Sequence, residues 1–193
     1  YSAATFEKHQ PIQSLRETVE NHPAYATTST AGRLTAKRGH GGLIFADVQD
    51  ATGKIQICVK QDQVGEKAFR LFNETDLGDF VGVTGSLFTT KTGEITINVS
   101  TVTFLAKALR PLPEKWHGLK DVEIRYRKRY LDLIANEPAR RVFFQRSRLV
   151  TSLRTTLDRK GFLEVETPMM HPIPGGAAGE PFVTRHKVLD TEL

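Results

Sequence analysis

The chain has 193 residues, 39% of them hydrophobic and 25% charged, with 27 Lys+Arg against 22 Asp+Glu and a net charge of +5. This length suits one or two ordinary domains, and the composition sits near the globular average, which excludes fibrous and disordered classes. No stretch approaches the roughly 20 apolar residues of a bilayer-spanning helix, so no membrane partner is expected.

The single cysteine, Cys58, has no partner for an internal disulfide or a thiolate metal cluster, which fits a reducing, cytoplasmic compartment. The six histidines show no metal spacing, and no metal site is expected. Tyr1 is not a methionine, and the half-apolar run Val188–Leu193 carries no stop signal. A piece of a longer protein is therefore expected. Charge is unevenly spread. Residues 110–160 hold fourteen Lys+Arg against six acids, a net +8 that leaves −3 for the rest, and such an excess suits either a polyanion or a solvated basic face.

In chain order, residues 1–25 predict one short helix over Ile12–Val19, ended by Asn21-His22-Pro23. From Thr30 to Phe104 the rhythm is period two, with strands predicted at Ala31–Lys37, Leu43–Gln49, Lys54–Lys60, Phe80–Thr89 and Glu94–Phe104. Asp50–Gly53 and Lys91–Gly93 read as turns whose glycines supply positive φ. Between the third and fourth strands, Val64–Phe72 reads as a helix, with Ala68, Leu71 and Phe72 as its apolar face. Three strands, a helix and two strands in some 75 residues suit a five-stranded OB barrel at 26–109.

Arg110-Pro111-Leu112-Pro113 marks a boundary, and 110–135 reads as a basic linker. A second domain begins at 136. Asn136-Glu137-Pro138 is a helix start, Lys160-Gly161 its stop, and Val142, Phe143, Leu149, Val150, Leu153 and Leu157 form its apolar stripe. Phe162–Glu166 is predicted as a strand ended by Thr167-Pro168. The fold class is α+β.

Strand parity assigns Ile44, Ala46, Val48, Ile55, Ile57, Val59, Ile95, Ile97 and Val99 to the barrel interior. It turns Phe45, Asp47, Gln49, Gln56, Cys58, Glu94, Thr96 and Asn98 outward. With a four-residue turn, Asp47 pairs with Gln56 and Phe45 is the diagonal neighbour of Gln56. An outward ring, amide and carboxylate can serve single-stranded RNA. A base stacks on Phe45 for roughly 1–3 kcal/mol, Gln56 and Glu94 read its edge, and Arg33, Lys37 and Arg38 hold phosphates. An ordinary solvated barrel wall with one stray phenylalanine is the other reading of these spacings.

The run Ala108-Leu109-Arg110-Pro111-Leu112-Pro113-Glu114-Lys115-Trp116-His117-Gly118, followed by Arg125-Tyr126-Arg127-Lys128-Arg129-Tyr130-Leu131-Asp132-Leu133, resembles the class II lysyl-tRNA synthetases. The Arg-Tyr-Leu-Asp-Leu part is shared with the aspartyl and asparaginyl enzymes. A stand-alone OB RNA-binding module without catalysis is the further alternative. The resemblance implies an anticodon-binding OB domain that recognises a uridine-rich anticodon through Phe45, Gln56 and Glu94, joined to the start of a class II antiparallel catalytic domain. Gly161–Pro168 resembles motif 1, which implies a homodimer with Phe162, Val165 and Pro168 at its interface. Gly175, Gly176 and Ala177 resemble the loop lining the lysine pocket. The parent reaction implied is lysine plus ATP to lysyl-adenylate, then transfer to tRNA(Lys), with Mg2+ as the partner of ATP.

Two positions depart from the family pattern, Glu180 where a basic residue is usual and Lys187 where asparagine is usual. The arginines of motifs 2 and 3, which hold ATP, lie downstream of Leu193 in the family. No catalytic residue is assigned to this chain, and the 193 residues alone are expected to be inactive.

Overall fold

Alternation in the first half of the chain produces five strands: β1 (Thr27–His40), β2 (Leu43–Gln49), β3 (Lys54–Lys60), β4 (Phe80–Thr89) and β5 (Ile95–Ala106). They close into a barrel in the order β1-β2-β3-β5-β4, with β4 returning to β1. Only β3 and β5 pair in parallel; the other neighbours are antiparallel. This is the five-stranded Greek-key arrangement of an OB fold. The computed structural model describes residues 5–6, 10–21, 27–111, 119–173, 179–180 and 182–193. They fall into two compact units, Tyr1–Leu131 and Asp132–Leu193.

The barrel interior is filled by Leu34, Ile44, Val48, Ile55, Ile57, Val59, Val81, Val83, Ile97 and Val99, all buried. Each such side chain contributes roughly 1.5–3 kcal/mol relative to exposure. The inward residues expected from parity are all there except Ile95, which is only half-buried at the start of β5.

Helical segments close the ends of this core. The stretch after β3 is not one helix. α2 (Gln61–Val64) stops at Gly65, whose φ is 83°, and α3 (Glu66–Asn73) follows. α3 buries Phe69 and Phe72, while Leu71 is exposed, so the apolar face includes Phe69 in place of the expected Leu71. α1 (Ile12–Asn21) buries Ile12 and Leu15 in the same cluster.

α1 is fastened by the β2–β3 turn. Asp50 Oδ2 accepts the Ile12 amide at 3.0 Å, while Oδ1 accepts the Thr52 amide at 2.6 Å, the Thr52 hydroxyl at 2.7 Å and the Gly53 amide at 2.8 Å. Thr52 Oγ1 accepts the next helix amide, Gln13, at 3.1 Å. One carboxylate thus closes a turn and satisfies an orphan donor of a helix 38 residues away in sequence. This replaces the expected role of Gly53, which is not among the positive-φ glycines; Gly93, at φ 84°, does have the predicted conformation.

Beyond the barrel come α4 (Val122–Arg127), α5 (Arg129–Ala135) and α6 (Glu137–Arg159). Asp121 caps α4 by accepting the Ile124 amide. Asn136 precedes α6 but makes no side-chain cap; its amide turns back to Asp132 Oδ1 at 2.6 Å. α6 stops as expected. Gly161 takes φ 82°, its amide reaches the Asp158 carbonyl, and the Phe162 amide reaches that of Leu157, a Schellman pair. The strand expected at Phe162–Glu166 does not form. A strand exists only with a ladder partner, and none of the described residues supplies one. The chain ends in a small hairpin of β6 (Arg185–His186) and β7 (Thr191–Glu192).

Burial alone would raise the Asp50 carboxyl, but the donors of Ile12, Thr52 and Gly53 outweigh it and hold the group below its ordinary value. The stability it contributes is therefore complete above the usual carboxylate range and is lost as pH falls through the depressed value. Asp50→Ala is expected to cost about 0.5–2 kcal/mol at neutral pH. Urea titrations of both proteins from pH 7 down to 3 should show this gap narrowing towards acid.

Candidate nucleic-acid interface

Register defines which outward side chains are neighbours. One row across the outer wall runs Ala36, Asp47, Gln56, Thr96 and Phe88; the next runs Arg38, Phe45, Cys58, Asn98 and Ser86. The Asp47–Gln56 pair expected from the turn length is present, and Phe45 is diagonal to Gln56. Phe45 is half-exposed, and the Arg38 guanidinium lies 6.0 Å from its ring centroid. That puts a cation at the edge of ring-stacking range. Glu94 immediately precedes β5, two residues before Thr96 and so on the Thr96 side of the strand, and is exposed.

Outward does not mean solvated. Gln56 is only 6% exposed, Cys58 1%, and Thr96 is fully buried, although parity placed all three at the surface. They occupy the two middle strands, so neighbours flank each on both sides: Asp47 and Thr96 beside Gln56, Phe45 and Asn98 beside Cys58. Burial also raises the Cys58 thiol above its usual value, against the pull of Lys60. Lys54 Nζ bonds the Asp47 carboxylate at 3.0 Å, and Thr96 Oγ1 bonds Gln56 Oε1 at 3.0 Å. Parity turned Asp47 and Thr96 outward without giving them a role, and Lys54 was not singled out. Their roles depend on cross-strand register, and the four-residue turn already predicted the Asp47 pairing.

Lys37 is engaged away from Phe45. The β1–β2 register slips between Leu34 and Ala36, so Lys37 pairs with the inward Ala46 while Arg38 pairs with the outward Phe45. A bulge at Thr35 has reversed the alternation. Lys37 Nζ instead bonds the backbone carbonyls at the end of α3, Phe72 at 3.4 Å, Asn73 at 2.9 Å and Thr75 at 2.5 Å. A cation on the last carbonyls of a helix is well placed electrostatically, and this one has little left for a phosphate. Arg33 remains outward, across from Gln49 and Phe80. Its guanidinium stacks 4.3 Å from the Phe80 centroid and bonds the Gly78 carbonyl at 3.2 Å. The structure therefore brings Arg38 beside Phe45, and sets Lys37 and Arg33 apart from it.

The same region holds a buried carboxylate. Asp79 accepts from Lys107 Nζ at 2.8 Å, the Ala108 amide at 2.8 Å and the Asp76 amide at 2.9 Å. Burial would raise its carboxyl, but Lys107 and the two amides outweigh that and hold it low. This fixes where the chain leaves β5.

Residues 28–105 match the family model of the OB-fold nucleic acid binding domain, and residues 121–193 match that of the class II tRNA synthetases (D, K and N). The lysine–tRNA ligase of Carboxydothermus hydrogenoformans is 54% identical over 188 residues, covering 96% of this chain and 38% of the relative. That of Aquifex aeolicus is 52% identical over 190 residues, covering 98% and 32%. That of Thermoanaerobacter sp. strain X514 is 49% identical over 193 residues, covering 100% and 38%. This chain belongs to the class II lysyl-tRNA synthetases. It spans about a third of the length of these curated relatives.

Gly175, Gly176 and Ala177, and the Leu112–Gly118 part of the linker text, lie outside the described residues. Glu180 is exposed, and Lys187 sits in the exposed turn between β6 and β7. In the motif 1 segment, Phe162 is 64% exposed, Val165 65%, and Pro168 is exposed too.

Lys37→Met and Arg38→Ala are expected to separate stability from binding. The first should lower the thermal midpoint, by removing the cation from three carbonyls, with RNA affinity of the folded protein within about twofold. The second should leave the midpoint within a degree or two and weaken RNA binding several-fold. Paired melting and anisotropy titrations check both.

Proposed function

We propose that this chain is the tRNA-recognising portion of a lysine–tRNA ligase, whose OB domain reads the anticodon of tRNA(Lys). The whole protein would form lysyl-adenylate from lysine and ATP and pass the lysyl group to the tRNA, in the cytoplasm. The observation that carries this reading is the grouping of a half-exposed ring, an amide and an exposed carboxylate on one wall of the barrel: Phe45, Gln56 and Glu94.

The chemistry follows from the side chains. Stacking on Phe45 accepts any base, because every base has a π-face, and a cation at Arg38 adds attraction for the adjoining phosphate. Discrimination then falls to Gln56 and Glu94, which meet the base edge with an amide and an acceptor-only carboxylate. The barrel itself, residues 26–105, carries eight basic and eight acidic residues, so its affinity rests on stacking and hydrogen bonds more than on net charge.

Lysine, ATP and Mg2+ enter by family. Among the described residues no three His, Cys, Asp or Glu side chains come together as a metal site. Magnesium would come with ATP, and in the family the residues that hold both lie outside this chain. No helix among the described residues is long and apolar enough to cross a membrane.

Homodimerisation through motif 1 is supported by α6. Val142, Phe143, Leu149, Leu153 and Leu157 are all exposed, Leu149 at 71% and Leu153 at 58%. An amphipathic helix with no buried side chain needs a covering partner, and a second copy with its own motif 1 fits that need.

Phe45→Ala and Glu94→Ala in the intact protein are expected to weaken a lysine anticodon stem-loop by roughly 1–3 kcal/mol each. Unchanged affinity in both variants refutes anticodon reading by this wall. For the dimer, Leu153→Arg should shift the sedimentation coefficient from that of two copies to that of one; an unaltered coefficient removes α6 from the interface.

A further inference from the structure

The β4–β5 ladder ends at the Phe80–Ala106 pair, so the residues that follow lie beyond the sheet. Apolar packing does not hold them either, since Leu109 is 90% exposed. Asp79 does. Its carboxylate, itself fully buried, takes Lys107 Nζ at 2.8 Å on Oδ2 and the Ala108 amide at 2.8 Å on Oδ1. Asp76 Oδ2 takes the same ammonium at 2.6 Å. Pro111 follows closely, and its ring locks φ, so a direction given at Ala108 is passed on with one torsion fewer to lose it.

The turn that supplies these carboxylates is itself fixed to the strand beside the wall. The Asp79 carbonyl accepts the Leu34 amide at 2.8 Å, and the Leu34 carbonyl accepts the Gly78 amide at 2.8 Å. Arg33 and Lys37, on either side of Leu34 in β1, bond the carbonyls of Gly78 and Thr75. The same strand then sets Arg38 beside Phe45. A buried carboxylate is a poor source of net stability, because desolvation offsets most of what its partners return, but several convergent donors do fix direction. We propose that Asp79 is a positioning residue for lysyl transfer: by tying the exit of β5 to β1, it holds the chain leaving the barrel at a fixed angle to the RNA-bearing wall. This rests on the lysine–tRNA ligase reading above. Amino-acid activation needs no tRNA and should not feel the tie. Transfer needs the tRNA held by the barrel to reach the adenylate, and should.

The test uses the intact protein. Asp79→Asn keeps the size of the side chain and removes the charge that gathers Lys107. It should lower kcat for lysyl transfer to tRNA(Lys) about tenfold, since a misplacement of about 1 Å can cost still more. Lysine-dependent ATP–pyrophosphate exchange, KM for the tRNA and affinity for the anticodon stem-loop should all stay within about twofold. Hydrogen exchange at the Ala108 amide should rise, while the Ile57 and Ile97 amides keep their protection. Loss of transfer without faster exchange at Ala108 overturns the inference, as does faster exchange with transfer unchanged. An equal fall in activation, stem-loop affinity and transfer makes Asp79 merely structural and overturns it too. Should Asp79→Asn lack a cooperative melt, Lys107→Met carries the same test, with a several-fold fall in transfer expected and Lys107→Arg restoring it to within about twofold. The wild-type protein separates the two readings. If it places no lysine on tRNA(Lys), the ligase reading falls and takes this inference with it. If it does, and Asp79→Asn does so equally well, only the inference falls.

Discussion

The parallel pairing of β3 with β5 is the constraint on which the outer wall depends. Two strands far apart in sequence, Lys54–Lys60 and Ile95–Ala106, are brought side by side, with α2, α3 and β4 between them. The pairing closes the barrel, so Ile55, Ile57, Val59, Ile97 and Val99 are sealed inside. By the same alternation it aligns Gln56 with Thr96 and Cys58 with Asn98 outside. A slip of one residue would exchange the two sets, burying polar side chains and exposing the core. Burial of the apolar face therefore enforces the arrangement of the polar one. The candidate recognition residues inherit their geometry from a hydrophobic register that has no direct part in binding.

What could be read from the sequence follows the same division. Strands β2, β3 and β4 have the boundaries that alternation and turn residues suggested, because each is regular and its period is short. Phe45, Gln56 and Glu94 could be singled out for the same reason. That Lys37 lies opposite the inward Ala46 could not be foreseen, because a bulge at Thr35 leaves no trace in a pattern of alternating residue types, and one extra residue is enough to turn a side chain to the other face. Burial of Gln56, Cys58 and Thr96 was hidden differently. Parity reports direction, while exposure depends on neighbours that only the closed sheet supplies. In α3 the choice between Leu71 and Phe69 depended on which face of the helix meets the barrel core, and Phe69 and Phe72 are the pair that does.

Carboxylates join to the barrel what apolar contact does not. Asp50 ties α1 to the β2–β3 turn, and Asp79, wholly buried, ties the chain leaving β5 to the loop before β4. In each, burial of the charge is outweighed by several convergent donors, so the carboxyl stays ionised. Such groups are strongly directional. They fix where a segment enters or leaves the barrel, which a hydrophobic contact alone would leave free to slide. A single Asp in a turn-forming or strand-flanking context says little on its own, which is why the sequence offered no sign of either tie.

The second unit shows the complementary case, in which local signals are satisfied and the tertiary ones are not. α6 has its stop at Gly161 and an ion pair along its surface between Arg141 and Glu137, yet none of its 23 residues is buried. Helix propensity and capping account for its regularity, but isolated helices are marginal in water and most helical stability comes from packing an apolar stripe. The stretch from Phe162 to Glu166, with β-type alternation and no ladder, lacks its partner for the same reason. A helix that forms from local rules beside a strand that cannot form without a neighbour is what the physics requires of a segment whose covering surface lies elsewhere. Val142, Leu149, Leu153 and Leu157 stay exposed along α6, so the stripe reflects missing tertiary contact more than weakness in the helix itself.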